Sequence, residues 1–173
     1  TVIITEKPDA MTKIAMALSD GKAKKTEKRD AFWYEFKRGK ENIIVGCAVG
    51  HLFGLDTIKD GTGWKYPVFN VQWVPSHAKK GHEFSQKYFE NMQEVVKRGS
   101  KFIVATDFDT EGSVIGYNVL KLMANRSDAW RMKFSTMTKD ELIEAYENAS
   151  RHLDLGQTEA GLTRHYLDFF WGI

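Results

Sequence analysis

Three acids stand at alternate positions in the run Asp107-Phe108-Asp109-Thr110-Glu111-Gly112. Before them, Lys101 to Thr106 is a short apolar, β-branched stretch that reads as a buried strand. After them, Ile115, Val119, Leu122 and Met123 recur at helical spacing. The acids therefore occupy a strand-to-helix junction, and open parallel sheets bind their ligands beyond the carboxyl ends of the strands. Residues two apart on extended backbone face the same side, so Asp107 and Asp109 converge. Glu111 opens the next helix, and Gly112 permits a tight turn. Glu6 sits at a junction of the same kind, after Val2 to Thr5 and before Pro8. If the two strands are neighbours, all four carboxylates reach one edge. Like charges so placed raise one another's pKa unless a counter-charge offsets them. A hard divalent cation such as magnesium supplies it, since it favours carboxylate oxygens, keeps waters and bridges to phosphate. No His/Cys ligand set is expected to compete for zinc. Such a metal stabilises charge on a phosphodiester in transit. The plainer alternative is that Asp107 or Asp109 caps the following helix.

The elements that must position these residues follow from periodicity. Val2 to Thr5 suits a strand buried on both faces, and Met11, Ile14, Ala15 and Leu18 mark a helix opened by Pro8 and ended by Gly21. Phe32 to Lys37 and Asn42 to Val49 read as a hairpin. Gly50-His51-Leu52 breaks that pattern, Gly54 to Tyr66 reads as loop, and Val68 to Val74 alternates like a strand. A helix is predicted from His82 to Arg98 on Phe84, Tyr88, Met92 and Val95, and a third buried strand from Trp130 to Ser135. Thr138 and Glu141 form a capping box before Leu142, Ile143 and Tyr146. Repeated strand-then-helix units predict an α/β fold, a largely parallel sheet flanked by helices with an antiparallel insertion near residues 30–75.

Composition narrows the setting. Hydrophobic residues make up 42% and charged residues 28% of 173, which is the balance of a folded domain and not of a disordered chain. Cys47 is the only cysteine, which excludes an internal disulfide and suits a reducing compartment. Without an apolar run of about 18 residues or a signal-like N-terminus, a cytoplasmic location is expected. Net charge is only +2. Gly21 to Lys40 nevertheless concentrates Lys22, Lys24, Lys25, Lys28, Arg29, Lys37, Arg38 and Lys40 against Glu27, Asp30 and Glu35. That stretch is either a phosphate-facing patch or a lysine-protected sheet edge. The apolar end, Phe169-Phe170-Trp171-Gly172-Ile173, suggests a chain that continues in a larger parent.

Glu6-Lys7-Pro8, Gly50-His51-Leu52 and the DFDTEG run, in that order, resemble the Toprim domain of type IA DNA topoisomerases. Arg131 to Ser135 with Thr138 is similar to the family's strand-to-helix segment after the acidic motif. Thr163 to Asp168 looks like the helix leading out of Toprim. Glu-Lys-Pro is closer to the archaeal and topoisomerase III branches than to bacterial topoisomerase I. The resemblance implies a Toprim domain over residues 1–155 and, over 156–173, a helix leading into the next domain. It implies that Asp107, Asp109 and Glu6 hold Mg2+, and that Glu6, Lys7 and Glu111 are catalytic. Lys7, His51, Arg131 and Arg164 would face single-stranded DNA, and the remaining topoisomerase domains would be partners in the same polypeptide. The activity implied is Mg-dependent cleavage and religation of one DNA strand for relaxation of supercoils.

Two departures from the family pattern matter. The family often carries Arg where Thr110 stands and an acid where Ser113 stands, which bears on metal affinity. Its nucleophilic tyrosine lies in a Tyr-x-Arg context, and none of Tyr34, Tyr66, Tyr88, Tyr117, Tyr146 or Tyr166 has an arginine two residues later. The nucleophile is therefore expected outside this chain, and the chain alone is expected to be inactive. Other readings remain: a Toprim nuclease or primase-like enzyme, a noncatalytic DNA-binding module, or, from the DxDxT pattern alone, a phosphatase of the haloacid dehalogenase type with Asp107 as nucleophile. Glu111-Gly112, the late position of the motif and an idle Glu6 count against the phosphatase.

Overall fold

The computed structural model describes residues 1–58 and 68–172. Its centre is a six-stranded sheet in the order β2-β3-β4-β1-β7-β8. The strands are β1 (Val2–Thr5), β2 (Lys24–Lys28), β3 (Ala31–Arg38), β4 (Glu41–Cys47), β7 (Phe102–Val104) and β8 (Trp130–Arg131). β4, β1, β7 and β8 run parallel, whereas β2 and β3 add antiparallel strands at one edge. A separate hairpin pairs β5 (Phe53–Thr57) with β6 (Val71–Pro75). The α/β architecture with an antiparallel insertion is thus the one the sequence predicts.

Successive residues of β1 face opposite sides, and the core divides accordingly. Val2 and Ile4 pack with Val104, Met92, Val95, Ile115 and Val119, beneath α2 (Gln86–Lys97) and α3 (Thr110–Met123). Ile3 packs with Met11, Ile14, Val45, Ile103 and Leu142, beneath α1 (Pro8–Ser19) and α4 (Lys139–Glu147). All four β1 residues are buried, as a central strand covered on both faces requires. The remaining helix, α5 (Leu155–Trp171), lies against α3.

Several local expectations shift. The stretch from Gly54, read as loop, contains β5, whose Gly and Asp disfavour a strand until β6 pairs with it; the loop reading of residues 59–66 falls outside the described residues. The predicted strand from Trp130 to Ser135 shortens to Trp130–Arg131, because β7 pairs with it only at Ile103 and Val104, and Ser150 adds a single bridge to Arg131. Phe84 is exposed in a turn before α2, so the helical stripe starts later than its spacing suggests. Thr138 accepts from the Glu141 N–H at 3.4 Å, but the Glu141 carboxylate accepts from the Ser135 and Thr136 N–H groups. It caps the preceding loop and not Thr138. No helix among the described residues is long and apolar enough to cross a membrane.

The basic stretch is resolved by topology. Lys24, Lys25 and Lys28 lie on edge strand β2, which lysines protect from pairing with other chains. Lys28 and Arg29 pair with Glu94 and Glu90 of α2, and Arg38 with Glu147.

Candidate acidic site at the strand ends

β1 and β7 are hydrogen-bonded neighbours with Ile4 opposite Val104, so the residues that follow each strand leave the sheet at one edge. Glu6 and Asp107 are those residues. Lys7, at the N-cap of α1, places Nζ 2.5 Å from Asp107 Oδ2. On the other side of β1, the turn after β4 brings in His51. Two links hold that turn to β1: Ala48 N–H donates to Thr5 O at 2.9 Å and Gly50 N–H to Glu6 O at 3.3 Å. Val49 in this turn has φ 52°, a left-handed conformation that a β-branched residue adopts only under strain.

The loop from Asp107 to Gly112 is fixed by its own backbone. Asp109 is the N-cap of α3 and accepts from the Gly112 N–H at 2.7 Å. The capping alternative is therefore realised at Asp109, with one of its two oxygens so committed. Gly112 is required by close approach: a Cβ there would stand 2.2 Å from Asp107 O. Thr106 Oγ1 donates to Gly112 O at 2.7 Å, closing the loop from beneath. Ser113, where the family often has an acid, donates to Gln157 Oε1 of α5 at 2.7 Å.

Electrostatics follow from this packing. Burial, then repulsion from Asp107, pushes the Glu6 carboxyl above its usual range, and Lys7 offsets only part of this. Glu6 Oε2 is buried with no hydrogen-bond partner among the described residues. The bond to Asp107 raises the Lys7 ammonium pKa, so it stays charged at neutral pH.

Arg131 requires a correction. The resemblance casts it as a DNA contact, but its residue is 2% exposed. Its guanidinium donates to the carbonyls of Val104, Thr106 and Met132 (3.1, 2.8 and 3.2 Å) and to that of Asp107 (2.8 Å). Burial lowers its pKa to about 10, with the charges of Asp109 and Asp107 opposing the shift. It is thus a buried cation that clamps the acidic loop from below and has no surface to offer a phosphate.

Glu111 turns toward two imidazoles. Its Oε2 lies 2.9 Å from His51 Nε2 and 3.3 Å from His165 Nε2. Burial pushes the Glu111 carboxyl up, but the His51 hydrogen bond and the charge of both histidines hold it below its usual range. Arg164 stands at the rim, 3.9 Å from Glu111 Oε1 and 3.5 Å from Asp168 Oδ2. His165 is the residue that sequence reasoning missed, and with it the expectation that no histidine set would gather here is corrected. It sits on a helix far along the chain, and only the packing of α5 on α3 brings it to Glu111. Its neighbour Arg164 was legible from the motif; nothing in the local pattern distinguishes His165.

Comparison with known proteins agrees with this arrangement. The model of the Toprim domain matches residues 1–137. DNA topoisomerase 1 of Methanocaldococcus jannaschii is 44% identical over 99% of this chain, which covers 22% of that protein. That of Pyrococcus furiosus is 43% identical over 99% of the chain and 16% of that protein. The chain thus spans about a fifth of the length of the curated relatives it matches. Full-length topoisomerase I from Thermotoga maritima superposes with a TM-score of 0.57 over 97% of the chain and 24% of that structure, at 22% identity, which supports the fold. Glu6 beside the acidic loop, on a sheet of this order and in a chain so matched, makes this chain a member of the Toprim domain family.

Proposed function

We propose that this chain is the metal-binding Toprim portion of a type IA DNA topoisomerase, supporting Mg2+-dependent cleavage and religation of one DNA strand during relaxation of supercoils. The observation that carries the reading is the meeting of Glu6, Lys7 and Asp107 at two neighbouring strand ends. The donor set fits the metal: Glu6, Asp107 and Asp109 offer only oxygens, and Glu6 Oε2 is a buried atom with no hydrogen-bond partner among the described residues. When bound, the cation would offset charge developing on the phosphodiester.

The chain's own residues supply the rest. Lys7 exchanges Asp107 for the scissile phosphate, as a point charge on a flexible stem. Glu6, its pKa raised, is suited to pass a proton at a phosphodiester oxygen. Glu111 completes the acidic set, and His51 and Arg164 stand where a strand crossing the sheet edge would pass. Residues 1–155 are the Toprim body, and α5 packs against α3 and lends His165 to the site. The nucleophilic tyrosine belongs to another part of the parent polypeptide.

Relaxation assays on supercoiled plasmid, with Mg2+ titrations followed by NMR, test this. The expected result is no relaxation by the chain alone, Mg2+ perturbation at Asp107 and Asp109, and loss of that perturbation in Asp107→Asn. Relaxation by the isolated chain would overturn the external tyrosine. Metal-dependent nicking without a covalent adduct would favour a nuclease, and absence of any Mg2+ response a binding module.

A further inference from the structure

His51, Glu111 and His165 come from three separate elements: the turn after β4, the first turn of α3 and the later part of α5. Their ligand atoms all lie within 4.8 Å of one another. Two of the separations are already short, 2.9 Å and 3.3 Å from the two imidazole nitrogens to one carboxylate oxygen. A tetrahedral ion with bonds of about 2.0–2.2 Å holds its ligand atoms roughly 3.3–3.6 Å apart. The carboxylate oxygen lies below or at the lower end of that range from each imidazole and every pair lies within 4.8 Å, so modest side-chain movements suffice to close the set.

The chemistry of the donors differs from that of the neighbouring acids. Two imidazoles and one carboxylate suit zinc, cobalt or nickel, and a fourth position stays open for water. Magnesium prefers the all-oxygen set of Glu6, Asp107 and Asp109. His165 Nε2 is buried, and it has no hydrogen-bond partner among the described residues despite its nearness to Glu111. A cation between the two groups would satisfy it. The two imidazole rings are 4.8 Å apart, and the Trp73 ring packs on one side of them, 5.7 Å from His165.

We propose that His51, Glu111 and His165 form a second cation site, selective for a borderline transition ion such as Zn2+ over Mg2+, which shares Glu111 with the acidic set and takes its other ligands from the two imidazoles. The site stands whether or not the chain serves a topoisomerase. If it does, Glu111 links the two sites, because an ion held by the imidazoles ties down that carboxylate. His51 Nδ1 has no hydrogen-bond partner among the described residues. The outer bond that usually strengthens an imidazole ligand is missing there, so the affinity expected is micromolar and not nanomolar.

Calorimetry with Zn2+ and visible spectroscopy with Co2+, both on the 173-residue chain, test the proposal. One equivalent of Zn2+ should bind, undisplaced by millimolar Mg2+, and Co2+ should give the intense d–d bands of a low-coordinate site. His165→Ala and the shape-preserving His165→Gln should each weaken Zn2+ at least about tenfold, with circular dichroism confirming the fold. The double variant Asp107→Asn/Asp109→Asn should bind Zn2+ as the parent chain does. Failure to bind Zn2+, unchanged affinity in a folded His165 variant, or loss of Zn2+ in the double aspartate variant would each overturn it.

Discussion

Glu6 and Asp107 share a sheet edge with one lysine serving both, and the two carboxyls divide the consequences unequally. Asp107 takes the direct bond to Lys7, whereas Glu6 is left half-buried and holds its proton more tightly than an ordinary carboxyl. Between the ordinary value of 4.5 and its raised midpoint, the native state binds more protons than the unfolded chain. Stability from this group therefore falls as pH rises through that window, and the loss persists above it. Carboxyl NMR should give Glu6 a midpoint above 4.5, lowered both by Mg2+ and by Asp107→Asn; an ordinary midpoint unaffected by either would remove Glu6 from the site. Arg131 makes the complementary case. Replacing it with Met leaves the carbonyls of Thr106 and Asp107 without their buried donor. A loss of about 1–3 kcal/mol in urea unfolding is expected, together with weaker Mg2+ perturbation at Asp107. A stability loss with metal binding intact would limit Arg131 to the core.

At the scale of elements, the junction of α3 with α5 sets whether Glu111 meets His165. Gly161 of α5 lies so close to α3 that a Cβ would stand 2.6 Å from both Thr110 O and Val114 Cγ2. Gly161→Ala should force the helices apart and cost about 1–3 kcal/mol in denaturant unfolding. It should also shift the His165 ring resonances toward those of an exposed histidine. Wild-type stability with unmoved resonances would show that the helix contact does not position the histidine. On the opposite edge, β2 and β3 carry much of the basic stretch, and three of its residues, Lys28, Arg29 and Arg38, pair with Glu94, Glu90 and Glu147.

For the whole molecule, a net charge of +2 gives little general attraction for nucleic acid. Binding to single-stranded DNA should therefore be weak and depend on the few cations at the strand ends. Each phosphate neutralised on a single strand contributes a slope of about −0.7 in log affinity against log salt. Lys7→Ala should reduce the slope measured by fluorescence anisotropy by about that amount, and an unchanged slope would exclude Lys7 from the DNA path. The aromatic surface of α5, where Phe170 meets Phe69 and stacks on Tyr166, lies beside the β5–β6 hairpin, whose Trp73 meets Tyr166.

By itself, the sequence determined the strand-to-helix junctions, because a β-branched run followed by acids and a helical stripe is a local signal. It therefore located Glu6, Asp107, Asp109 and Glu111, and predicted the parallel sheet with its antiparallel insertion. Strand β5 was illegible because Phe53-Gly54-Leu55-Asp56-Thr57 gains its extended form from pairing with β6. Which strands are neighbours was conditional in the sequence; the β1–β7 pairing decided it. Tertiary structure alone also decided the burial of Arg131, since an arginine inside and an arginine on the surface have the same local pattern. The same holds for His165, which reaches Glu111 only through helix packing. Local propensity acts over a few residues, whereas burial and convergence depend on contacts far apart in the chain. The acids could accordingly be found in the sequence, but the burial of Arg131 beneath them and the arrival of His165 beside them could not.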